Sequence, residues 1–106
     1  MDLFREVLSQ AQARVTGWGG KLHFVYLPGF ATYANYPDIG HKLRPRVIDV
    51  VNSLKIPVID IDPVFRAEGD PLSLFPFREP GHYTEPGHRL VAQEVLKTIS
   101  SQIPNG

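Results

Sequence analysis

The sequence predicts an α/β fold, a small parallel sheet flanked by helices. Three observations carry that expectation. Apolar residues recur at helical spacing in three segments, two short β-rich runs lie between them, and the resulting order is helix, strand, helix, strand, loop, helix. A helix between two strands serves as a crossover, which implies parallel strands joined by a right-handed connection.

In chain order, Leu3, Phe4, Val7, Leu8, Ala11 and Val15 make one helical face over 2–16, and Gly17-Trp18-Gly19-Gly20 stops it. KLHFVYL (21–27) is the first strand, broken by Pro28-Gly29. FATYANYPDIG (30–40) mixes aromatics with turn formers, the composition of a loop over a site. Val47, Val50, Val51 and Leu54 define a second helix over 43–55, with Pro45 in a first turn where its missing N–H is not needed. Pro57-Val58-Ile59-Asp60-Ile61-Asp62 is a second strand ending in carboxylates, and 63–83, pinned by Pro63, Pro71, Pro76 and Pro80, is mostly irregular. The last helix spans 85–102: Thr84 is its N-cap, Glu85 suits its dipole, Pro86 fits its first turn, and Leu90, Val91, Val95, Leu96 and Ile99 form its buried stripe.

Length and composition bound the function. The chain of 106 residues has room for one core, and 42% hydrophobic with 21% charged residues is a globular composition. Eleven basic side chains against 11 acidic ones leave no net charge, so neither nucleic acid nor an anionic membrane surface is indicated as a partner. The absence of cysteine excludes a disulfide framework, a thiolate zinc site and a cysteine nucleophile, and leaves the compartment open. No run approaches the roughly 18 apolar residues of a membrane span, and the charged opening MDLFREVLSQ is no export signal. Two strands are few for a parallel sheet. Further segments pair, or chains pair as a homo-oligomer, or residues 1–106 are the C-terminal fragment of a larger α/β domain rather than a single domain.

Ligands of parallel α/β sheets sit beyond the carboxyl ends of the strands. Three segments converge there: Pro28 to Tyr36, the carboxylates Asp60 and Asp62, and Glu79 to Thr84. In the last, Glu79 precedes His82 by three residues. A histidine base needs one ring nitrogen toward a nucleophile and the other held by an acceptor, and a carboxylate three residues back in a tight turn can be that acceptor. Other chemistry-bearing residues have plainer readings. His88 is a first-turn surface residue, His23 a strand histidine, His41 a loop residue, Trp18 an anchor of its turn, Phe75-Pro76-Phe77 a core closure, and Asp60 and Asp62 caps of the following turn. Glu79, His82, Glu85 and His88 are evenly spaced, but Pro80, Gly81, Pro86 and Gly87 break the helix that a metal site of this spacing would need, so no metal or cofactor is expected.

HYTEPGHRLVAQEVL, placed after a VIDID strand and preceded by an acid three residues before its first histidine, resembles the C-terminal part of SGNH/GDSL-type esterases and acyltransferases. The resemblance covers most of the chain in layout, but only the closing motif has specific residues. It implies a partial flavodoxin-like, SGNH-type three-layer arrangement, with Glu79 and His82 as catalytic acid and base, Thr84 as the small polar residue and Gly87 as the close-approach glycine. Implied substrates are esters or acylated small molecules, carbohydrates or lipids, acted on by an intact parent. The family usually has aspartate where Glu79 stands. Its Gly-Asp-Ser nucleophile block and its oxyanion Gly and Asn have no counterpart here, and Ser9, Ser53, Ser73, Ser100 and Ser101 all lack the strand-to-turn setting of an activated serine. The expectation is therefore a C-terminal part without acyl-transfer activity of its own. The alternative is a non-catalytic α/β binding module whose Tyr33 and Tyr36 loop meets a carbohydrate or protein.

Overall fold

Helix α1 (Asp2–Gly17) ends as its glycines dictate. Gly19 takes a left-handed φ of 79°, the Gly20 N–H donates to the Val15 carbonyl at 3.0 Å, and the Gly19 N–H donates to that of Thr16 at 2.9 Å, a Schellman closure. The computed structural model describes residues 2–34 and 39–102, without the side chains of 39–41 and 102. After α1 come β1 (Phe24–Tyr26), a 3₁₀ turn at Phe30–Thr32, α2 (Ile39–Ser53), β2 (Val58–Asp60), α3 (Asp62–Arg66), 3₁₀ turns at Pro71–Leu74 and Pro76–Arg78, and α4 (Glu85–Gln102).

The two strands form a parallel sheet. The Phe24 N–H donates to the Pro57 carbonyl at 2.9 Å and the Ile61 N–H to that of Tyr26 at 3.1 Å, the staggered pattern of a parallel pair. Both strands are shorter than their β-rich runs, three residues each. Pro28 closes the first, and Pro57, with no N–H to give, opens the second.

One compact unit comprises Met1–Phe24 and Ile39–Val58. In it α1 packs on α2, Phe4 meets Phe24 edge-to-face at 6.0 Å, and the Gln12 side chain donates to the Leu54 carbonyl at 2.9 Å. Among the described residues, Val50, Val51 and Ile56 are its buried apolar side chains. Helix α2 begins earlier than expected, so Pro45 lies inside it rather than in its first turn; the carbonyl four residues back then has no helical donor. At its end Lys55 sits at φ 59° in a second Schellman closure, with the Ile56 N–H on the Val51 carbonyl at 3.3 Å and the Lys55 N–H on that of Asn52 at 2.9 Å. Trp18, expected to anchor the first turn, is 81% exposed.

The other unit comprises Val25–Asp38 and the chain from Ile59 on. Its core is Ile59, Ile61, Phe65 and Leu74, joined by Val25, Tyr33, Tyr83 and, from α4, Leu90, Val91 and Val95. Tyr83 stacks edge-on against Phe65 at 4.9 Å and Phe75 at 5.4 Å. The proline-rich segment thus supplies core side chains from short helical turns. Leu96 and Ile99, expected in the buried stripe of α4, are exposed, because the apolar neighbours of this helix lie against its first three turns.

Candidate functional site

Beyond β2, the Asp60 carboxylate accepts the Asp62 N–H at 3.1 Å, so Asp60 serves as the turn cap that its position suggests. Beyond β1 the buried Pro28 offers its carbonyl to the Tyr83 hydroxyl at 2.5 Å. That bond ties the segment carrying His82 to the end of the first strand. Burial, with a smaller contribution from Tyr26, pushes the Tyr83 phenol up to about 12, so it stays a donor.

The rest of the motif reinforces this tie. The Thr84 N–H donates to the Leu74 carbonyl at 2.7 Å, and Thr84 Oγ1 accepts the Gly87 N–H at 3.2 Å as N-cap of α4. A Cβ on Gly87 would stand 2.9 Å from the Tyr83 Cβ and 3.1 Å from the Leu74 oxygen, so only glycine fits. Gly81, at φ 147°, turns the chain just ahead of His82.

Within this frame Glu79 and His82 are both exposed, and among the described residues neither makes a side-chain hydrogen bond or ion pair. The structure does not bring the two together. Of the other carboxylates on offer, Asp70 pairs with Arg78 at 2.7 Å and Asp60 is the turn cap. Glu85 pairs with Arg89, and His88 lies against Tyr83 at 5.6 Å. No group of three or more His, Asp or Glu side chains is arranged to hold a metal among the described residues. Phe75 closes the core as expected, but Phe77 does not: its φ is 55° and its ring is 95% exposed. Tyr36 and the side chain of His41 lie outside the described residues.

Sequence reasoning missed a second cluster. Asp62 is 7% exposed, the one buried charged side chain among the described residues. Its Oδ1 accepts the Tyr33 hydroxyl at 2.7 Å, and Arg66 Nε donates to Oδ1 at 3.0 Å and Oδ2 at 3.2 Å. The Arg66 guanidinium lies over the Tyr33 ring, 5.1 Å from its centroid. Burial, then the hydrogen bond to Asp62 and its charge, hold the Tyr33 phenol well above its usual range. The available signal was the i,i+4 spacing of Asp62 and Arg66 straight after the second strand.

Comparison with protein-family models, curated proteins and solved structures gave no match. No helix among the described residues is long and apolar enough to cross a membrane.

Proposed function

We propose that this chain is the C-terminal part of an SGNH-like ester hydrolase or acyltransferase, contributing Glu79 as acid and His82 as base, in a partial flavodoxin-like three-layer arrangement. One observation carries the reading. An exposed histidine stands next to Tyr83, whose hydroxyl is fastened to the backbone beyond a parallel strand, and is followed by a capping threonine and a glycine that no other residue can replace. A surface turn has no need of so many fixed neighbours.

In this reading a serine from elsewhere in the parent gives its Oγ proton to His82 as it attacks the ester carbonyl, and His82 returns that proton to the leaving group. Glu79 holds the imidazole in the required tautomer once its side chain swings onto the ring, and its exposure leaves it free to do so. Substrates are esters or acylated small molecules, carbohydrates or lipids. The chain alone, with neither nucleophile nor oxyanion donors, carries out no acyl transfer. The test is fluorophosphonate labelling of the protein expressed from its full coding region. A labelled serine is expected, with labelling slowed on the order of 10³-fold or more in His82→Ala. Labelling that is absent, or indifferent to His82, contradicts the reading.

A binding module is the second reading, favoured by the unjoined Glu79 and His82 and by the bare Phe77 ring. In that case no serine is labelled, and Phe77→Ala weakens partner binding while His82→Ala does not.

A further inference from the structure

The cluster around Asp62 has a feature that the esterase reading leaves unused. Arg66 is held by two contacts, Nε on both oxygens of a buried carboxylate and the guanidinium over the Tyr33 ring, and Tyr33 is itself fixed by its hydroxyl to the same carboxylate. The anchor is buried and the arginine is not, with 48% of the Arg66 side chain exposed against 9% for Asp62. With Nε committed inward, the Nη1 and Nη2 edge is left, and no protein group accepts from it among the described residues.

That edge presents two parallel N–H bonds, the geometry that matches two oxygens of one carboxylate or phosphate. A solvated arginine loses rotamer freedom on binding such a group; Arg66 is already ordered, so less is lost for each bond formed. The Asp62 charge offsets that of Arg66, so the site would recognise an oxyanion by the fork of its N–H bonds rather than by net charge. Location agrees with geometry. Arg66 ends the short helix that starts beyond the carboxyl end of β2, the edge where parallel α/β sheets receive ligands.

We propose that Arg66 binds an oxyanion of a ligand, a carboxylate or a phosphate, through its Nη edge, with Asp62 and Tyr33 as positioning residues. The site stands independently of His82. The test is titration of the full ¹⁵N-labelled chain with inorganic phosphate and, separately, with acetate, at neutral pH and constant ionic strength, following the Arg66 Nε–H signal together with the backbone amides of residues 65–67, which also report on the Arg66→Lys variant. A saturable shift in the millimolar range is expected. Affinity falls about tenfold in Arg66→Lys, which keeps the charge but loses the fork, and about threefold in Tyr33→Phe, which loosens the anchor. Arg89→Lys, an exposed arginine elsewhere, leaves it unchanged. Tighter binding of phosphate assigns a phosphate-bearing ligand, and tighter binding of acetate a carboxylate. A linear drift with both anions, saturation reported only by amides remote from Arg66, or equal affinity in Arg66→Lys overturns the proposal. If Arg66→Lys fails to fold, the Nε–H signal of the unaltered chain decides between saturation and drift.

Discussion

Asp62 and Asp70 each accept an arginine, and their surroundings make those two ion pairs unequal. Asp62 is buried and also holds Tyr33, whereas Asp70 meets Arg78 in solvent. Removing a buried acceptor leaves its donors unsatisfied, so Asp62→Ala is expected to destabilise the chain by about 2 kcal/mol. Asp70→Ala is expected to cost below about 1 kcal/mol, the range of exposed pairs. Urea unfolding of both variants checks the ordering; equal losses would mean that Asp62 is not the anchor. The two raised tyrosines give a pH dependence of definite sign. A phenol whose folded pKa exceeds the unfolded value of 10.0 contributes stability that is complete below pH 10.0 and is lost as pH rises through the folded value, about 12 for Tyr83 and higher for Tyr33. Stability should therefore decline above pH 10, with tyrosinate absorbance showing late-titrating groups that become ordinary on unfolding. A flat profile across that interval would contradict the burial assigned to Tyr33 and Tyr83.

Helix ends give the sharpest tests among the elements. Lys55 holds a left-handed φ at an exposed C-cap, a conformation that glycine adopts without steric cost. Lys55→Gly is expected to stabilise by about 0.5–1 kcal/mol in thermal or urea unfolding, and a loss of stability would contradict the closure described for α2. At the other extreme, Gly87→Ala meets the Tyr83 Cβ and the Leu74 carbonyl oxygen, atoms that cannot yield cheaply, and is expected to cost about 2 kcal/mol or more. An unchanged unfolding midpoint would show that the loop and α4 are not in close approach. These ends also show what the sequence made legible. The bounds of α1 and α4 follow from local signals, a glycine run in one case and Thr84 with an apolar period in the other. The start of α2 does not, because Pro45 suits a first turn without requiring one, and the helix runs back to Ile39 with the proline inside it. Glu79 and His82 were legible as a spacing, while the Tyr33–Asp62 bond joins residues 29 apart in sequence and is visible only once the chain is folded.

For the whole molecule, the parallel pairing expected from the element order is present, in a sheet of only two strands among the described residues. Both outer edges of such a sheet lack strand partners, and Leu3, Val7 and Trp18 are exposed in the unit that contains α1. Sedimentation velocity should accordingly show a coefficient that rises with concentration; a constant monomer value would contradict the self-association expected from the sequence. The most direct test concerns the footing of His82. If the Tyr83 hydroxyl bond, the Thr84 cap and the Gly87 contact form a frame, the chain on which His82 stands is as rigid as the helix that follows it. Backbone ¹⁵N relaxation across Gly81 to Thr84 reads this directly. Order parameters of about 0.85, equal to those of α4, are predicted, whereas values below about 0.6 would show a mobile surface turn that holds no catalytic base in place.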